Sequence, residues 1–112
     1  MDMQKFLMEL QKEIKVKQAE RNEYYKDYPW VSASGVRDDI ITLVRRGYIL
    51  ERECCHDMSA ETRRGVWKIF KKYFPVSRES CHQDYGFGPT RATRILIEFT
   101  PQEIEVILQK MD

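Results

Sequence analysis

The chain has 112 residues, is 42% hydrophobic and 33% charged, and carries a formal net charge of +1. That leaves room for one domain with a modest core, and is too balanced a charge for a protein whose main task is to coat nucleic acid. No apolar run approaches the ~20 residues a membrane-spanning helix needs, and three cysteines, an odd count, argue against a disulfide framework.

The opening "MDMQKFLMEL" places an acid where a signal peptide needs base, so a cytoplasmic protein is expected. Met3, Phe6, Leu7, Leu10 and Ile14 recur at helical spacing and predict a long helix over 2–24. Its second half, from Lys15 to Glu23, has little to bury and is expected to project into solvent. "EIKVKQ" also alternates, so a strand starting near Ile14 is the alternative. "YYKDYPWVSASG" then reads as a turn-rich segment holding Tyr24, Tyr25, Tyr28 and Trp30.

Ser34 can cap a helix running from Gly35 to about Arg46. Asp38 and Asp39 fall in its first turn and Arg45 and Arg46 in its last, which suits the helix dipole at both ends. Gly47 is a good stop, and "YILERE" follows as a short strand. Ser59 can cap a third helix, over 60–74, with Val66, Trp67, Ile69, Phe70, Tyr73 and Phe74 as its apolar positions and Pro75 after it. "VSRESCHQDYGFGPTR" reads as a long irregular loop, of the kind that needs something to organise it. "RILIEF" is a clear strand. "TPQEIEVILQKM" is a clear helix, with Thr100 and Glu103 as a capping box and Pro101 in the first position. The expected fold is therefore α+β: residues 1–112 as a single domain with four helices and a short β-sheet.

Every cysteine and histidine falls in two short runs: Cys54, Cys55 and His56 in "RECCHDMS", and Cys81 and His82 in "SCHQDYG". Independent placement would scatter five such residues. Zinc takes four thiolate or imidazole ligands in a tetrahedron, usually as two pairs on tight turns. Four of these five would staple the end of the "YILERE" strand to the long loop. The zinc would be structural, because four protein ligands leave no open position for water. The bland alternatives are inert buried cysteines or, less simply, a redox pair. No catalytic signature accompanies the cluster, and a non-enzymatic protein is expected.

Charge is uneven. From Ser59 to Arg78 there are six bases against one acid, a net of +5, and from Glu98 to Asp112 four acids against one base, a net of −3. Arg63, Arg64, Lys68, Lys71 and Lys72 form a stripe that could grip phosphates, or simply solvate one helix face. Trp30 and its tyrosine neighbours either pack under the first helix or, if exposed, form a contact for a protein partner. Phe87, between Gly86 and Gly88, is either the residue of a tight turn or an aromatic tip for a partner.

Two resemblances add expectations. The helix running into "RRGYILERE" is similar, over about twenty residues, to the recognition helix and wing of winged-helix proteins. In size, charge and lack of catalytic motifs, though by no matched residue, the chain resembles the small inhibitors of the anti-CRISPR type that phages encode. That resemblance implies a host-cytoplasmic protein docking on a nucleic-acid-handling effector such as Cas9, with the acidic patch opposing its positive groove. The alternative function is a DNA- or RNA-binding regulator using the basic helix 60–74.

Overall fold

The computed structural model describes residues 1–28, 35–50, 60–84, 86 and 88–111. Along the chain run helix α1 (Met3–Tyr25), helix α2 (Val36–Arg46), strand β1 (Tyr48–Leu50), helix α3 (Ala60–Tyr73), strands β2 (Val76–Asp84) and β3 (Pro89–Ile97), and helix α4 (Pro101–Met111). The expected α+β class with four helices holds. The strands form one antiparallel sheet in the order β1-β3-β2. "YILERE" is strand at Tyr48–Leu50, and its residues 51–53 lie outside the described residues.

Local chemistry accounts for the helix ends. Asp2 caps α1, accepting from the Lys5 N–H at 3.1 Å. α2 ends where expected: Gly47 takes φ 76°, and its N–H closes on the Leu43 carbonyl at 2.8 Å. Only glycine adopts that left-handed cap without a steric cost. α4 starts on the expected capping box: the Glu103 N–H donates to Thr100 Oγ1 at 3.2 Å, and the Thr100 N–H donates to Glu103 Oε1 at 2.8 Å. α2 begins at Val36, so its N-cap position is Gly35 and not the expected Ser34, and no side chain caps it; Ser59, the cap expected for α3, lies outside the described residues. At α2 a tertiary contact is seen instead: the Val36 N–H donates to Gln18 Oε1 of α1 at 2.8 Å.

The strand alternative near Ile14 is not adopted, since α1 is helical throughout. Its polar half also buries more than periodicity suggested. Arg21 is only 9% exposed and pairs with Asp39 of α2.

The larger correction concerns the expected long loop. "VSRESCHQD" is a regular strand, and β2 and β3 make a β-hairpin in continuous register from Val76↔Ile97 to Asp84↔Pro89. Gly86 and Gly88, at φ 100° and 91°, supply the positive-φ positions of its turn. β1 pairs with β3, Tyr48↔Leu96 through Leu50↔Arg94, and residues 51–59, where the second strand of a wing would follow, lie outside the described residues.

Side-chain alternation sorts the sheet into two faces. Ile49, Ile95 and Ile97 are buried against a core that includes Phe6 and Leu10 of α1, Ile40 of α2, Phe70 of α3 and Ile107 of α4. Helices therefore cover this face, and the 20 Å shortest extent of the molecule matches two layers. Between α1 and α3, Phe6 sits edge-on to Phe70, Tyr73 and Phe74 at centroid distances of 5.3, 5.5 and 4.9 Å. Gly65 of α3 lies where a Cβ would run into the side chain of Glu13, so α1 and α3 approach closely there.

Candidate functional site

Cys54, Cys55 and His56 lie outside the described residues, as do Trp30 and Phe87. Cys81 and His82 are consecutive positions of β2, paired with Ala92 and Arg91 respectively. Consecutive strand residues point to opposite faces. Cys81, a half-buried free thiol, shares the face of Arg94 and Leu96, while the exposed His82 shares the face of Arg91. The two were expected to act as one ligand pair. While β2 stays regular, one ion can take only one of them, so a four-ligand site would need Cys54, Cys55 and His56 together with Cys81 or His82. Among the described residues no group of three or more His, Cys, Asp or Glu could hold a metal.

This geometry gives a sharp test of the staple. In protein purified with zinc, mass spectrometry should show metal loss on only one of Cys81→Ser and His82→Ala. Equal loss on both would mean that β2 is broken at this point.

The basic stripe is divided. Lys68 and Lys71 are exposed on α3, and the side chains of Arg63 and Arg64 lie outside the described residues. Lys72 reaches back to α1, where its Nζ donates to Glu9 Oε1 at 2.8 Å. This hydrogen bond lowers the Glu9 carboxyl from its ordinary range and raises the Lys72 ammonium. Burial raises the adjacent Tyr73 phenol, and the neighbouring Glu9 adds to the rise. Lys72 is thus paired across the α1–α3 contact while its side chain stays 56% exposed.

Two arrangements are visible only in the fold. On the face of the sheet away from the helices, the guanidinium groups of Arg46 and Arg94 both lie over the Tyr48 ring, 4.4 and 4.7 Å from its centroid. Arg94 also stands 3.5 Å from Glu79 across the hairpin. On the other face, the hairpin carries Arg78 opposite the buried Ile95 and, beyond that pair, Ser80 and His82 on β2 with Thr93 and Arg91 on β3. The glycine turn was visible in the sequence, but the faces of a strand unrecognised as such could not be assigned.

The tyrosines resolve one question that the sequence left open. Tyr24 is 67% exposed and Tyr28 43% exposed. Tyr24 meets Tyr25 edge-on at 4.9 Å and Tyr28 at 6.3 Å between centroids. Tyr24 and Tyr28 form an exposed ledge at the end of α1, with Tyr25 half-buried beside them.

No helix among the described residues is long and apolar enough to cross a membrane. No protein-family model, curated protein or solved structure matches the chain.

Proposed function

We propose that this chain is a non-enzymatic binding protein that docks on a larger protein, with the ledge of Tyr24 and Tyr28, beside Tyr25, as part of the contact. The observation that carries this is the exposure of Tyr24 and Tyr28 at a helix end, with Tyr24 packed against both Tyr28 and the half-buried Tyr25. Tyrosine supplies large, rigid contact area at low entropic cost, and it is enriched among the residues that dominate protein interfaces. The same reading includes structural zinc, supported by the two Cys/His runs. It also includes a phage inhibitor of an effector such as Cas9, supported only by size, charge and the lack of catalytic motifs.

The test is affinity capture from lysate of the source cell, using the full chain and the Tyr24→Ala/Tyr28→Ala variant. Both side chains are exposed, so the variant should melt as the parent does. One defined protein should be retained by the parent and bound about tenfold more weakly or worse by the variant. Equal retention would remove the ledge from the contact.

A second reading, a DNA- or RNA-binding regulator, is favoured by the exposed Lys68 and Lys71 of α3. Steep loss of binding with added salt is its signature.

A further inference from the structure

The sheet order β1-β3-β2 makes β2 an edge strand, with no strand along its outer side among the described residues. It is 9 residues long, against about 5–6 for a typical strand. Its register with β3 runs without a bulge, and it contains no proline or lysine. Short length, proline, lysine and bulges are the features that keep most edges from pairing with another chain. Val76, Ser77, Arg78, Glu79, Ser80 and His82 are all exposed, so this edge is open to a partner.

The backbone bonds that face outward can be assigned. At the root of the hairpin the Glu98 N–H donates to the Pro75 carbonyl at 3.0 Å. In an antiparallel ladder the bonding pairs alternate along the strand. Ser77, Glu79 and Cys81 therefore turn their N–H and C=O groups toward β3. Val76, Arg78, Ser80, His82 and Asp84 turn theirs away from it, along the open edge.

We propose that β2 pairs antiparallel with β2 of a second copy, about a two-fold axis at Cys81, joining the two sheets into one. The charges on β2 select this occupant and this register. A parallel arrangement would line each charge up beside itself. An antiparallel pair related by a two-fold axis keeps every residue on its own face, so the axis passes at a residue and sets which positions stand opposite. An axis at Arg78 or Glu79 puts two like charges face to face, which destabilises a pair. An axis at Ser80 places Arg78 opposite His82 and Val76 opposite Asp84, matching no opposite charges. An axis at Cys81 places Arg78 opposite Asp84 of the second copy, and by symmetry does so twice. Registers centred nearer either end of β2 overlap less. Arg78 also interacts within its own chain, and a guanidinium has further N–H donors for the carboxylate. In the Cys81 register Ser80 stands opposite His82 of the second copy, so the outward backbone groups of Arg78, Ser80, His82 and Asp84 meet one another. The pairing uses the backbone of Ser80 and His82, and it goes beyond the tyrosine ledge, which lies on α1.

The test combines sedimentation equilibrium of the full chain with residue-resolved amide exchange at rising concentration. A dimer should form, and as it does the Arg78, Ser80 and His82 amides should slow. The Ser77, Glu79 and Cys81 amides, already bonded to β3, should be slow throughout. Ser80→Pro removes an outward N–H without touching the β3 ladder, so it should melt as the parent does and dimerise about tenfold more weakly or worse. If that variant melts early, the alternating exchange pattern of the intact chain decides. Arg78→Asp should also weaken the dimer, and Arg78→Asp/Asp84→Arg should restore it. A chain that stays monomeric overturns the proposal, as does a dimer in which the Arg78, Ser80 and His82 amides still exchange fast. A folded Ser80→Pro variant that dimerises as the parent does overturns it too. Failure of the charge swap to restore pairing overturns the register at Cys81. Slowing of these amides only on binding a different protein would give the edge to that protein and overturn the second copy as its occupant.

Discussion

Phe6→Ala should remove a large share of the protein's folding stability. Phe6 is 0% exposed, and its ring is the shared partner of Phe70, Tyr73 and Phe74, so it joins α1 to α3. Truncating a buried phenylalanine costs about 3–5 kcal/mol, through lost transfer energy and the cavity left behind. A domain of this size has only about 5–15 kcal/mol to lose. The neighbours cannot collapse easily into the gap, because Phe70 and Phe74 are already held edge-on by Phe99 at 5.9 and 4.8 Å. Urea unfolding followed by circular dichroism measures the loss. A drop below about 1 kcal/mol would mean that the aromatic cluster is not the joint described.

Arg21→Ala should cost about 3 kcal/mol, a large effect for one residue in the polar half of a helix. Arg21 Nη2 lies 2.5 Å from Asp39 Oδ2, with the two side chains 9% and 17% exposed. Removing the arginine leaves a carboxylate in a site that water reaches poorly, and that orphaned charge is the main cost. The same strap includes Gln18, which accepts the first N–H of α2. Asp39 also favours the start of α2 through the helix dipole. Arg21→Ala/Asp39→Ala should therefore lose clearly less than the sum of the two single changes. Additive losses in a double-mutant cycle would contradict a coupled pair.

Arg21 also shows where sequence reading stops. α2 and α4 were legible because their signals are local: acids first and bases last, a glycine stop, and a capping box three residues apart. Arg21 gives no such signal, since its burial depends on where α2 lies. β2 was missed for a related reason. "VSRESCHQD" has almost no apolar alternation, and its pairing with β3 carries it instead. The Gly86 and Gly88 spacing was the available clue to a hairpin turn.

The candidate sites divide along the same line. Clustering of cysteine and histidine was plain in the sequence, but a ligand pair at Cys81 and His82 presumed a loop, and a strand turns them apart. The tyrosines are plain in the sequence, but packing under a helix or standing clear of it is a tertiary outcome. The basic stripe on α3 was visible as a pattern. That Lys72 is engaged by Glu9, 63 residues away in sequence, was not.

The most direct test of the docking proposal is amide hydrogen exchange of the chain, free and bound to the protein it captures. Slowed exchange on binding is expected at residues 22–28, around the tyrosine ledge. Protection confined to β2 and β3, with 22–28 unchanged, would contradict the ledge as the contact.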